Sequence, residues 1–253
     1  MSSTSAAAAA SGSTKVAVPY KQIRARQPPS AAVGQPKETL IVYQAYSSAI
    51  AVAAAREQRL DASPAFKVGR MTWIKPSFLW CMYRAGWSYK DANQERILAI
   101  EMTVEGLRAL VRCSVGAMAR DRPPASGSRL ETETEAETET ETGKEKEKEK
   151  EKEKVEVRFQ WDPERSVQLG RLPYRSLQLG IAGGMVRRWI DEWIVRIEDI
   201  TEDVRRFHAL IENEGSLGVE KVVEELNSEK WREDVLHLGE ELEMALGMPG
   251  DVA

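Results

Sequence analysis

Apolar residues along the chain fall into short runs whose spacing switches between the period of a strand and that of a helix. Thr39-Leu40-Ile41-Val42-Tyr43 is β-branched and aromatic and predicts a strand. Ser47 or Ser48 can then cap a helix over 49–60, which is rich in alanine. A second strand is expected over 70–75, Arg-Met-Thr-Trp-Ile-Lys. It runs into Pro76, and proline suits the first turn of a helix because its missing N–H would have no partner there. That helix is expected from 77 to about 85, with Phe78, Leu79, Met82 and Tyr83 among its apolar residues and Gly86 as its stop. A third strand over 96–102 precedes a helix over 104–113 with Leu107, Leu110 and Val111 on one side. Further on, Val155-Glu156-Val157-Arg158-Phe159-Gln160-Trp161 alternates apolar with polar residues, the signature of a half-buried strand. Asp162-Pro163 reads as the turn that ends it.

Another strand is expected over 174–181, ending in the turn Ala182-Gly183-Gly184. Apolar residues at Val186, Trp189, Trp193, Ile197, Ile200, Val204, Phe207 and Ile211 step by three and four, which favours a long amphipathic helix. Trp193-Ile194-Val195-Arg196-Ile197 taken alone suits a short strand, after which Asp199 or Thr201 would cap a fresh helix. A further amphipathic segment over 219–246 closes at Gly247, Pro249 and Gly250. Two strands follow one another near 155–181 with no helix between them, so the sheet need not be parallel. The expected class is therefore α+β: a single mixed-sheet core of about five strands with flanking helices and long amphipathic C-terminal helices.

Composition divides this pattern into segments. Residues 1–36 are small residues and prolines with too little apolar surface to offset the entropy of ordering, and read as a disordered tail. Residues 37–125 and 155–213 are the two parts of the core, and 214–253 a C-terminal helical segment. Between the core parts, 126–154 is a low-complexity charged linker of Glu-Thr and then Lys-Glu repeats. The whole chain has 253 residues, 42% hydrophobic and 30% charged, and a formal charge of −4. Residues 130–154 alone carry eleven Glu and six Lys, so the rest is close to neutral. That balance argues against strong, salt-dependent binding to a nucleic-acid backbone.

No run of about 18 apolar residues is present to span a membrane. The first residues carry neither a basic n-region nor an arginine-rich presequence, so the expected location is cytoplasmic, with nuclear entry left open. Cys81 and Cys113 cannot build a disulfide framework and suit a reducing compartment.

Standard catalytic signatures are missing: no G-x-S-x-G, H-E-x-x-H, Walker A loop or paired C-x-x-C occurs, and no metal is expected. His208 and His237 read as surface or packed histidines, and Cys81 as a small buried hydrophobe. Lys75-Pro76-Ser77 puts a cation and a hydroxyl at a helix start, where phosphate is welcomed, although a cap plus a surface lysine is the plainer account. Trp73, Trp80 and Trp87 are spaced by seven, and core packing is expected for at least two of them. Tyr43-Gln44-Ala45-Tyr46-Ser47 ends a strand in polar side chains beside a helix start, a common ligand-binding position. Arg70, Arg84, Arg165 and Arg175 are the arginines of interest. Arg175 lies within a short strand, where an edge position is the plainer account, and an Asp162–Arg165 ion pair fixing the turn is preferred over a ligand role for Arg165.

Several of these stretches together carry a family resemblance. They are Val42-Tyr43-Gln44-Ala45-Tyr46-Ser47, Arg70-Met71-Thr72-Trp73-Ile74-Lys75-Pro76-Ser77-Phe78-Leu79-Trp80 and Met82-Tyr83-Arg84-Ala85-Gly86-Trp87, then Gln94-Glu95-Arg96. Gln160-Trp161-Asp162-Pro163-Glu164-Arg165, Pro173-Tyr174-Arg175-Ser176 and Asp191-Glu192-Trp193-Ile194 complete the set. In that order they resemble the family catalogued as domain of unknown function 4291, found in bacteria and fungi, over roughly residues 37–213. The charged insert and the proline-rich spacer before Thr39 depart from it as additions.

In addition, the strand ending in Tyr43-Gln44-Ala45-Tyr46-Ser47 is similar to the Tyr-His-Gly-Thr-Ser strand that receives NAD in ADP-ribosyltransferases. That likeness implies an enzyme moving ADP-ribose from NAD to a nucleic acid or protein. Its implied reacting groups are Gln44, Glu95 and Gln178. Tyr43, Tyr46, Arg70, Lys75, Ser77 and Arg175 would hold NAD. The alternatives are a non-catalytic module for a nucleotide or single-stranded nucleic acid, and a protein-interaction scaffold. The enzymatic reading expects these side chains to line one cleft, with Gln44 and Arg175 on the same side.

Overall fold

The computed structural model describes residues 20–28, 38–116 and 155–248. The charged linker 126–154, residues 1–19 and 29–36 of the expected tail, and the last five residues lie outside the described residues. The chain forms an α+β structure whose strands share three sheets.

β3 (Thr39–Tyr46) runs antiparallel to β5 (Arg96–Thr103) along its whole length, and β5 pairs in turn with β9 (Ile194–Asp199). In the central strand Ile97, Leu98, Ala99 and Ile100 are all buried, because one apolar cluster packs on each face of this sheet. The run is therefore continuous rather than alternating.

The larger, mixed sheet is built on the hairpin of β7 (Val157–Arg165) and β8 (Arg171–Ile181). β4 (Thr72–Ile74) adds antiparallel to one end of β8, β1 (Tyr20–Gln22) parallel to another stretch of it, and β6 (Ser114–Gly116) parallel to β7. Beyond β4, Lys75 and Tyr43 exchange two backbone hydrogen bonds, of 2.7 and 3.3 Å, which stitches the first sheet to the second. A third, two-stranded sheet joins β2 (Arg24–Arg26) to β10 (Glu233–Val235).

The helices start and stop where their caps dictate. α1 (Ser48–Glu57) ends at Gln58 in the left-handed conformation, and the Gln58 side chain then donates to the Ile197 carbonyl and accepts from the Ile197 N–H on the outer side of β9. α2 (Phe78–Ala85) has Ser77 as its N-cap, its hydroxyl accepting from Trp80 N–H, and Gly86 at φ 54° as its stop. α3 (Val104–Arg112) is capped in the same way by Thr103. The segment after β8 is a short α4 (Gly184–Arg188) and a π-helical turn (Trp189–Trp193) that gives way to β9, so the strand alternative for this stretch is the one that forms. Asp199 then accepts from Thr201 N–H and starts α5 (Thr201–Leu226). α5 breaks at Gly215 (φ 56°, ψ −126°), and its halves fold back on each other: Arg206 reaches Glu225, which a straight helix would place about 28 Å away.

Four expectations need correction. Residues 20–26 belong to the core and not to a tail, since Ile23 and Ala25 are fully buried. Three-residue strands whose partners lie some 150 to 210 residues away leave almost no local periodicity to read. Asp162-Pro163 is no turn: both residues lie inside β7, and a register shift between Pro163 and Arg165 accommodates the proline. The turn comes at 166–170, with Leu169 at φ 62°. No Asp162–Arg165 ion pair forms either, as the Arg165 guanidinium lies 3.6 Å from the Tyr83 ring centre. Finally, the segment over 219–246 is not one helix but the end of α5, then β10, then α6 (Glu240–Ala245). As expected, Trp80 and Trp87 are buried, and so is Cys81.

Candidate functional site

A cleft of about 960 Å³ opens where the end of β3, β4 and the chain before it, α2, and one face of the β7–β8 hairpin meet. Its wall is a closed hydrogen-bond triangle. Gln44, only 2% exposed, donates through Nε2 to Thr72 Oγ1 (2.7 Å) and to the Trp73 carbonyl (2.9 Å), and its Oε1 accepts from the Tyr46 hydroxyl (3.0 Å). Tyr46 and Thr72 close the triangle at 2.9 Å. Both Gln44 amide hydrogens are consumed within the protein, so this side chain fixes β3 to β4 and offers a ligand one remaining lone pair. Burial holds the Tyr46 phenol well above its ordinary pKa, keeping it neutral.

The floor comes from the alternation of the β7–β8 hairpin. Gln160 and Gln178 are cross-strand partners, and both turn their amides onto Asp162, at 2.8 Å to Oδ1 and 2.6 Å to Oδ2. Desolvation raises the Asp162 pKa above its usual value, while these two donors, Arg84 and Arg175 oppose the rise. Cations surround the opening. Arg70 and Arg84 are exposed and Lys75 is 9% exposed, and none of the three makes a side-chain hydrogen bond or ion pair among the described residues. Trp73, Trp80 and Tyr83 supply ring surface beside them.

Of the residues singled out from the sequence, Gln44, Tyr46, Arg70, Lys75 and Gln178 thus share one cleft. Four others lie elsewhere. Tyr43 alternates to the opposite face of β3 and is fully buried against Phe78, with ring centres 5.4 Å apart. Ser77 is occupied as the α2 cap. Glu95 accepts from Ser48 N–H at the start of α1, and that bond holds its carboxyl below the usual range. Arg175 lies three residues from Gln178 on a continuous strand and so turns to the other face, where it donates to the Trp161 carbonyl. The expected convergence of Gln44 with Arg175 does not occur.

Asp162, Gln160 and Thr72 were missed as site residues, and Arg84 was singled out among the arginines without a role in the site. Asp162 was legible in principle. A residue before proline is driven toward extended backbone, which keeps it in register with Gln160 on the same face.

A smaller cavity of about 260 Å³ lies on the other side of the α2 start, lined by Ser77, Arg165, Tyr174 and the carboxylates Glu164 and Glu233 among others. Glu164 accepts from Ser176 Oγ and from Arg165 N–H. Glu233 accepts from Phe78 N–H at 2.6 Å, and burial, reinforced by Glu164, pushes its carboxyl up to about 8. Among the described residues, no three His, Cys, Asp or Glu converge as metal ligands, and no helix is long and apolar enough to cross a membrane.

No curated protein matches the chain. The model of the domain of unknown function family DUF4291 matches residues 31–230, and the chain belongs to that family.

Proposed function

We propose that the cleft binds a nucleotide, and that this nucleotide is NAD, used as a donor of ADP-ribose by a set of residues that differs from the expected one in leaving out Arg175 and Glu95. The observation that carries the reading is the meeting, in one cleft, of cations without acidic partners among the described residues, aromatic rings and a desolvated carboxylate. Exposed Arg70 and Arg84 suit the pyrophosphate, since guanidinium groups pair phosphate oxygens two at a time. Trp73, Trp80 and Tyr83 suit the rings. When the glycosidic bond to nicotinamide breaks, its electron pair leaves with nicotinamide and positive charge grows on the ribose. An acceptor then bonds to that carbon and gives up a proton. Asp162, oriented by Gln160 and Gln178, is the desolvated carboxylate of the cleft and faces that charge, whereas Asp91 on the same lining is exposed and accepts from Asn93 and Gln94, and Glu95 is committed to α1.

A second reading, nucleotide binding without chemistry, is favoured by the saturated Gln44 amide and by the position of Arg175 outside the cleft. One experiment separates the two. Calorimetric titration with NAD is paired with chromatographic assay of released nicotinamide, using Asp162→Asn as control. Binding with release that the variant loses supports transfer. Binding without release leaves a nucleotide-binding module, and no binding by folded protein overturns both.

A further inference from the structure

We propose that Lys75 is a carbonyl-reactive amine that forms an imine with an aldehyde or ketone carrying an anionic group. This goes beyond the NAD reading: it uses the same cleft but needs neither NAD nor group transfer. Lys75 is more than nine-tenths buried, lines the cleft, and has no hydrogen-bond acceptor or ion-pair partner among the described residues. The Nζ itself opens onto the cleft while the rest of the side chain is enclosed, and that desolvation disfavours the charged form.

Its surroundings do little to hold the charge. Cys81 stays a neutral thiol, pushed up to about 11 by burial, and Arg84 repels a second cation. Among the described residues Asp162 is the acid whose charge favours the ammonium, and that carboxyl is already shared between two glutamines. Burial accordingly lowers the Lys75 pKa, which frees the lone pair for attack. Position is equally well defined. The two backbone bonds to Tyr43 on one side and Pro76 with the Ser77 cap on the other leave the Lys75 backbone little freedom.

In the reaction the Lys75 nitrogen bonds to the carbonyl carbon while the C=O electron pair moves to oxygen. Two protons pass from nitrogen to that oxygen, and water leaves as the C=N bond forms. Asp162 lines the same cleft, and desolvation, which favours its protonated form, suits it to relay those protons. Arg84 and Arg70 at the opening are free to hold the anionic group.

The test uses pyridoxal 5′-phosphate as probe at neutral pH, with borohydride reduction to fix the imine and peptide mapping by mass spectrometry. Lys75 should be labelled about tenfold faster than the exposed Lys67 and Lys90. Pyridoxal without phosphate should label it several-fold less, and Arg84→Ala should narrow that difference. Lys75→Arg should remove this label and leave the others, and the mapping on the unaltered protein stands even if that variant folds poorly. Label spread over exposed lysines with Lys75 untouched overturns the proposal. Because no NAD is present, failure to release nicotinamide and failure to label Lys75 are separate results.

Discussion

Asp162 and Gln178 are diagonal neighbours across the β7–β8 hairpin, the glutamine amide donating to Asp162 Oδ2 at 2.6 Å on the floor of the cleft. The pair also depends on Gln160, whose amide holds the other carboxylate oxygen at 2.8 Å. Asp162→Asn keeps the size of the side chain and removes its charge. Nicotinamide release, measured by chromatography, should fall about 100-fold while the melting temperature changes little. Release by the unaltered protein should rise with pH through a midpoint above the ordinary aspartate range, since the ionised form is the useful one.

Glu233 should make the protein less stable as the medium turns alkaline. Its carboxyl titrates near 8 in the folded chain against 4.5 as its ordinary value, so the folded state holds the proton more tightly. The resulting stabilisation is complete below about 4.5 and is lost as pH rises through 8. Scanning calorimetry from pH 5 to 9 should show a falling melting temperature. Glu233→Gln, which keeps an acceptor for Phe78 N–H, should flatten that slope.

Gly106 sits in the first turn of α3 directly under Trp193. A Cβ at that position would lie 2.5 Å from Trp193 Cγ and 2.6 Å from its Cβ, against a buried ring with no room to retreat. Gly106→Ala should therefore destabilise by about 1–3 kcal/mol despite the better helix propensity of alanine. Urea unfolding measures it.

Ile23 is fully buried between β1 and β2 and belongs to the larger apolar cluster. Ile23→Ala should cost about 2–5 kcal/mol by the same urea assay, as expected for a core position and not for a tail. A loss below about 0.5 kcal/mol, the range of surface substitutions, would mean that these residues do not pack as described.

Legibility followed the reach of each signal. β3, β5, α2 and α3 could be read because their apolar spacing, caps and stops all lie within a dozen residues, as Ser77 and Gly86 do around α2. β1 and β2 could not, since only distant partners make them strands. The polar end of β3 pointed to Gln44 and Tyr46, and both line the cleft. Which face a residue takes was harder: Tyr43 and Arg175 are each one alternation step out of place, and a single-residue step moves a side chain to the other side of its sheet. Glu95 was misjudged because an acid near a strand start and a carboxylate satisfying a helix N-terminus look alike in sequence.

The two hydrogen bonds between the Gln58 side chain and Ile197 have a bearing on solubility. β9 is an outer strand, and an outer strand with free N–H and C=O groups is a template on which a second chain can add. By donating to the Ile197 carbonyl and accepting from its N–H, alongside a bond to its own helix at the Ala55 carbonyl, Gln58 stands in for the missing neighbour strand at that point. Exposed Arg196 and half-buried Glu198 flank the same position with charge. A docking strand would have to displace an amide that already satisfies the backbone and then bring its own residues against those charges, so the fold guards this edge against pairing with copies of itself.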